Sequence, residues 1–391
     1  MANILDYLDW RGDVPLSVDP FNEVDNLVLS ELSYVNFPEI PDAGEPLSLS
    51  EASEIYFQKT PFEQFDLESS EGKKMLVMKK IIGNARFGGI RLYRYVNELD
   101  KEETIQFSAV TFLLDDGSAY AAFRGTDHSF TGWKESLDIS YTSETEGQRK
   151  AIDYLNRLSD LSGYSLRVGG HSKGGNYAVY GSAFCDPEIQ NRIAAVYSND
   201  GPGFHDSVIT SEEYRRILPR VVSIIPDASV IGRLLLNASV PIVVKTTAVG
   251  VMQHDAFTWC VKRNRFERTG ISGMGEFLDK SINDWTGHLD DGRRESLIES
   301  IFTLLEGTGK ENFRDLKMEK MKTLRSIMAG LNDLPEDKRQ EIIQMVRQLV
   351  SSGRQTAFAE FSQFVEKVKA ERNSRQSDSA GGNSEKKKKS N

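Results

Sequence analysis

Between residues 90 and 226 the sequence changes period again and again. "IRLYRYVNEL", "IQFSAVTFLLDDG" and "AYAAFRG" alternate apolar with polar residues and are rich in Tyr, Phe, Ile and Val, which predicts strands. The turn "DDGS", Asp115 to Ser118, folds two of them into a hairpin. "GQRKAIDYLNRLSDLS" then sets Ile152, Leu155 and Leu158 on one side of a helix. "SLRVGG" reads as a strand, "KGGNYAVYGSAFC" as a helix, and "IAAVYSND" and "RVVSIIPD" as two more strands. Parallel strands must be joined by crossovers, and the crossover helices pack on the sheet. The alternation therefore predicts an α/β architecture, a mainly parallel sheet with helices on both faces.

The flanks differ from this centre. In residues 1–65, Val24, Leu27, Val28, Leu32 and Tyr34 fall at near-helical spacing, which predicts an N-terminal helical segment packing on the core. "KKMLVMKKIIGNARFGG" predicts a helix ending at Gly83 or Gly88, inside a core of residues 66–274. Past residue 275 strand patterns stop. "LIESIFTLLEG", "MKTLRSIMAGL" and "KRQEIIQMVRQLV" predict a helical region over 275–372, expected to pack on the sheet. Residues 373–391 are Ser-, Gly- and Lys-rich with nothing to bury, the composition of a disordered tail. Its Lys386, Lys387, Lys388 and Lys389 suit a weak contact with an anionic membrane, although a solvated tail is the expected state.

A formal net charge of −10 argues against a nucleic-acid surface, which needs a basic stripe. The two cysteines, Cys185 and Cys260, form neither a disulfide framework nor a metal spacing, and both sit in apolar stretches. "MANILDYLDWRGDVPL" lacks the basic and apolar regions of a signal peptide. No apolar run reaches the roughly 20 residues of a membrane span. "SVPIVVKTTAVGVM" comes nearest and is interrupted by Lys245. A cytoplasmic protein is expected.

One segment carries chemistry. Gly170-His171-Ser172-Lys173-Gly174 fits G-x-S-x-G, between a predicted strand and a predicted helix. A serine on so sharp a turn has strained backbone angles, and glycines two positions away relieve the crowding. The helix then aims its N-terminus at the serine, which favours an oxyanion there. Ser172 is the candidate nucleophile. Of the five histidines, His171 belongs to the turn and should pack behind it, and His288 falls in a charged stretch. His254, in "VGVMQHDAFTWCV", follows the apolar 240s and is the candidate base. Two aspartates end strands and are candidates to orient it, Asp227 in "VVSIIPDAS" and Asp200 in "VYSNDGPGF". Asp227 is favoured and Asp200 is the alternative; Asp255 should point elsewhere. The oxyanion donors expected are the backbone N–H of Lys173 and, from "AAFRGTDHSFTGWKESL", the N–H and hydroxyl of Thr126.

"FRGTDHSFTGWKESL" resembles the oxyanion segment of class 3 (fungal-type) lipases, with Trp133 at their Trp position. "GHSKGG" resembles their G-H-S-L-G-G turn, with Lys173 in place of leucine, and "RVVSIIPDASVIG" resembles the strand that ends in their acid, at Asp227. "ILDYLDWRGDVPLSVDPFNEVDNLVLSELSY", "SNDGPGF" and "QHDAFTW" are similar to segments of a lipase-like α/β-hydrolase family of unknown function from Gram-positive bacteria. The resemblance covers roughly residues 1–350. It implies an α/β-hydrolase fold and the triad Ser172, His254 and Asp227. With it comes the expectation of a serine esterase or lipase-like hydrolase acting on an acyl ester or lipid, the alternative being a non-catalytic α/β-hydrolase-like binding or membrane-associated protein. Such chemistry calls for no metal and no organic cofactor.

Overall fold

The period-two runs form one seven-stranded sheet in the computed structural model, which describes residues 1–37, 46–100, 105–127 and 129–273 and isolated positions between 275 and 340. The chain divides into two units, 1–294 and 295–391, and every element below belongs to the first. The helical region expected over 275–372 lies almost wholly outside the described residues, as do the tail, its four lysines, His128 and His288.

Helices α1 (Ile4–Arg11), α2 (Glu23–Leu32), α3 (Leu49–Lys59) and α4 (Ser70–Ile81) precede the sheet. Strands β1 (Arg91–Asp100), β2 (Ile105–Leu113) and β3 (Ser118–Phe123) follow, then α5 (Phe130–Asp138) and α6 (Glu146–Asn156). Next come β4 (Ser165–His171), α7 (Lys173–Phe184), α8 (Pro187–Arg192) and β5 (Ile193–Asn199). Two short helices, α9 (Asp206–Ile209) and α10 (Glu212–Ile217), lead to β6 (Val221–Pro226) and β7 (Ile242–Val244). A small antiparallel ladder of β8 (Val261–Lys262) and β9 (Arg265–Phe266) comes after His254, where no strand was expected.

The strands lie side by side in chain order, β1 to β7. β1, β2 and β3 are antiparallel, and β3 to β7 are parallel. The order explains the layering. Right-handed crossovers that always advance in one direction put every connecting helix on the same face. That face carries Tyr154 and Leu155 of α6, Tyr177 and Val179 of α7, Ile189 of α8 and Ile217 of α10, packed on Phe107, Ala121, Phe123 and Val168. The other face receives no crossover and is covered by α1, α2 and α4, with Leu27, Val28 and Val77 against Val110, Phe112, Tyr120 and Ala122. Tyr120, Ala121, Ala122 and Phe123 go to the two layers by turns, as period two requires. The result is an α/β-hydrolase fold in which the N-terminal helices build one layer.

Helix α2 is buried well beyond the apolar stripe that its spacing sets on one side. Nine of its residues, Val24 to Leu32, are buried, four of them polar or charged: Asp25, Asn26, Ser30 and Glu31. Each of the first three meets a partner inside. Asp25 pairs with Arg86 at 2.5 Å, and Asn26 and Ser30 bond Asn199 and Tyr120. No described helix is long and apolar enough to cross a membrane.

Candidate active site

Ser172 stands between β4 and α7 with φ 59° and ψ −132°, a conformation that L-residues avoid. The flanking glycines are steric necessities. A Cβ on Gly170 would lie 2.4 Å from the Gly174 carbonyl, and one on Gly174 would lie 2.1 Å from the Phe123 carbonyl oxygen. Because that neighbour is sheet backbone, Gly174→Ala should destabilise the fold by about 3 kcal/mol, the upper end for overpacking. A thermal melt checks this, and a variant melting with the wild type would remove the steric argument. The Ser172 side chain caps none of the first N–H groups of α7, so the Lys173 N–H has no partner within the helix.

His254 ends a 3₁₀ turn, Gly250–His254, and its ring lies against that of His171 with centroids 4.6 Å apart. The residue next to Ser172 is thus packed on the candidate base. The carboxylate on His254 belongs to Asp200: Nδ1 to Oδ2 is 2.6 Å. Asp200 is fully buried and takes a positive φ of 51°, which turns its side chain off the end of β5. Its Oδ1 accepts from the Ser229 hydroxyl and from the Gly232 N–H, leaving Oδ2 for the imidazole. This corrects the preference for Asp227. That side chain accepts from Gln253 Nε2 at 3.0 Å, and Gln253 Oε1 in turn accepts the Ala228 N–H. Asp227 therefore fastens the segment that carries His254 and does not meet the imidazole. Asp255 pairs with Lys73 at 3.2 Å, away from the site as expected.

A second polar cluster lies behind His254. The His171 Nε2 is 2.9 Å from the His254 carbonyl oxygen, and a carbonyl only accepts, so Nε2 carries the hydrogen. Nδ1 then accepts from the Tyr34 hydroxyl at 3.2 Å. Glu31 Oε1 is 3.5 Å from the same Nδ1, and Lys74 Nζ is 3.5 Å from Glu31 Oε2. Burial, and then the charge of His254, push the His171 pKa well below the usual histidine range. Burial likewise raises the Glu31 pKa, against the pull of Lys74. The folded chain thus holds the Glu31 proton more tightly than the unfolded chain does. The stability this contributes is complete below the unfolded carboxylate pKa, about 4.3, and is lost as pH rises through the folded value. Glu31→Gln should flatten that decline, which melting temperatures from pH 4 to 8 would show; unchanged slopes would refute it.

The segment expected to hold the oxyanion runs alongside Ser172. A Cβ on Gly125 would lie 2.2 Å from the Tyr34 hydroxyl oxygen and 3.0 Å from Ser172 Cβ. Thr126 follows, but its hydroxyl is engaged. The Ser136 hydroxyl donates to the Gly132 carbonyl at 2.8 Å, so in the contact between the two hydroxyls Thr126 is the donor. Its N–H remains the candidate, and the expected use of both groups is corrected. Lys173 keeps its backbone position, yet its side chain is buried and turned into the protein.

Glu31, Tyr34 and Glu135 join the site's surroundings without having been expected there. Glu31 had left a signal: it falls on the same helical stripe as Val24, Leu27 and Val28, where a charge is out of place.

No curated protein matches the chain. Similar solved structures are a Rhizomucor miehei lipase in a propeptide complex and the lipase of Rhizopus microsporus var. chinensis. The first is 12% identical over 60% of this chain and 80% of that one, with a TM-score of 0.34. The second is 13% identical over 66% and 91%, also at 0.34. The fold assignment rests on the sheet and its layers. The Mbeg1-like family model matches residues 81–303, more than half of the chain. That span contains the strained Ser172 turn and the Asp200–His254 pair, and the chain belongs to the Mbeg1-like family.

Proposed function

We propose that the chain is a serine hydrolase that cleaves carboxylic esters, with Ser172 as nucleophile, His254 as base and Asp200 as the orienting acid. The observation that carries this is the 2.6 Å contact of His254 Nδ1 with a buried carboxylate, on a ring packed against His171, the residue before a serine held at positive φ. With Nδ1–H given to Asp200, Nε2 is the basic atom. It takes the Ser172 proton as Oγ attacks the acyl carbonyl. The carbonyl π electrons move to oxygen, and the N–H groups of Lys173 and Thr126 receive that oxyanion. Collapse expels the alcohol, which leaves with the proton from Nε2. Water, deprotonated by Nε2, then releases the acid and restores Ser172. Asp200 stays ionised throughout and supports the imidazolium.

The lipase resemblance of "FRGTDHSFTGWKESL" favours an acyl ester or lipid as substrate. The test is covalent labelling of the full chain with a fluorophosphonate probe, located by mass spectrometry, alongside turnover of soluble acyl esters, phospholipids and acyl thioesters. Labelling confined to Ser172 with ester turnover supports the proposal. No labelling and no turnover of any member would overturn it.

A further inference from the structure

The residue after the candidate nucleophile is a lysine where the resembling lipases have leucine, and its side chain is 1% exposed. Its ammonium reaches Glu135 Oε2 at 2.5 Å and the Gln106 carbonyl oxygen and Oε1 at 3.0 and 3.1 Å. Glu135, itself 2% exposed, also accepts the Gln106 N–H at 3.0 Å and the Tyr177 hydroxyl at 2.7 Å. One buried ion pair thus ties together β2, α5 and α7.

Packing alone does not call for it. Exchanging a buried ion pair for apolar residues of similar volume is often neutral or stabilising. What a pair adds is fixed geometry, and here both ends sit next to candidate oxyanion donors. Lys173 carries one donor on its own backbone, at the first position of α7. Glu135 is followed by Ser136, the residue that receives the Thr126 hydroxyl. Locking Glu135 to Lys173 therefore locks α5, through Ser136, at a set distance from the α7 N-terminus.

We propose that the Lys173–Glu135 ion pair is a strut that sets the gap between the two oxyanion donors, making both side chains positioning groups for Thr126. The proposal rests on the hydrolase reading above. Neither side chain touches substrate; they act through the Thr126 and Lys173 backbones.

The test uses the full chain with Lys173→Met and Glu135→Leu combined, which removes both charges and keeps the Lys173 N–H. Four quantities are read: kcat and KM on a short-chain ester, the rate of fluorophosphonate labelling, and hydrogen exchange over residues 124–138. The double variant should fold but melt below the wild type, because the Gln106 N–H and the Tyr177 hydroxyl lose their acceptor. Its kcat and labelling rate should fall about 10²-fold, the usual loss for a misplaced group, with KM little changed. Exchange over 124–138 should quicken while that of α7 does not. A folded double variant with wild-type kcat and wild-type exchange would overturn the strut. If the double variant does not fold, Glu135→Gln, which keeps acceptor and shape but removes the charge, should show the same kcat loss, and wild-type kcat in it would overturn the proposal. If the wild type itself is never labelled, the hydrolase reading fails, and the exchange measurement still decides whether the pair holds 124–138.

Discussion

Ser172→Ala should abolish ester turnover, a loss of about 10⁶-fold on the scale known for removal of a triad serine, while leaving the fold intact. The two halves of this expectation have separate causes. The fold survives because the turn depends on Gly170 and Gly174, whose hydrogens face the backbone of Gly174 and Phe123, and because the Ser172 side chain caps no helix N–H. The Ser172 N–H, which does bond the Asn199 carbonyl at 2.9 Å, is retained by alanine. Activity vanishes because alanine has no hydroxyl at the strained turn into α7, where the proposed nucleophile stands. The measurement is initial rate on an ester that the wild type hydrolyses, with thermal melts for both proteins. Turnover near the wild-type rate in a folded Ser172→Ala chain would remove Ser172 from the mechanism.

Asp200→Asn should lower kcat by about 10⁴-fold at nearly unchanged melting temperature. Asparagine preserves the shape and one acceptor oxygen, so the Ser229 hydroxyl and the Gly232 N–H keep a partner. Its amide NH₂ then faces His254 Nδ1, where the Oδ2 contact is now 2.6 Å. Two donors cannot share that contact. The imidazole must carry its hydrogen on Nε2, and in that tautomer it cannot take the serine proton. Asp227→Asn is the control. Its amide oxygen still accepts from Gln253, so the segment bearing His254 stays fastened and the rate should change only a few-fold. A mild effect at Asp200 together with a severe one at Asp227 would reverse the assignment of the acid.

The contrast between these two aspartates marks the boundary between sequence and structure. β5, β6 and the Ser172 turn were legible because their causes are local: period two, a strand running into a helix, and the crowding of Gly170 against Gly174, whereas the clash that forbids a Cβ on Gly174 is with Phe123 on another strand. Asp200 and Asp227 look alike by those rules, since each follows an apolar strand that ends at the same edge of the sheet. What separates them is tertiary. β5 pairs directly with the strand that leads into Ser172, whereas β6 lies one strand further out, and a positive φ at Asp200 swings its carboxylate toward a histidine 54 residues away. Lys173 follows the same logic. Its neighbours in sequence placed a cation beside the nucleophile, and only the packing of α5 against α7 turns that cation inward onto Glu135, 38 residues earlier. The N-terminal segment shows it on the largest scale. The spacing of Val24, Leu27 and Val28 predicted a helix. That this helix would be buried with its polar side chains against the ends of β4 and β5 followed from the strand order, which sends every crossover to one face and leaves α2 to cover the other.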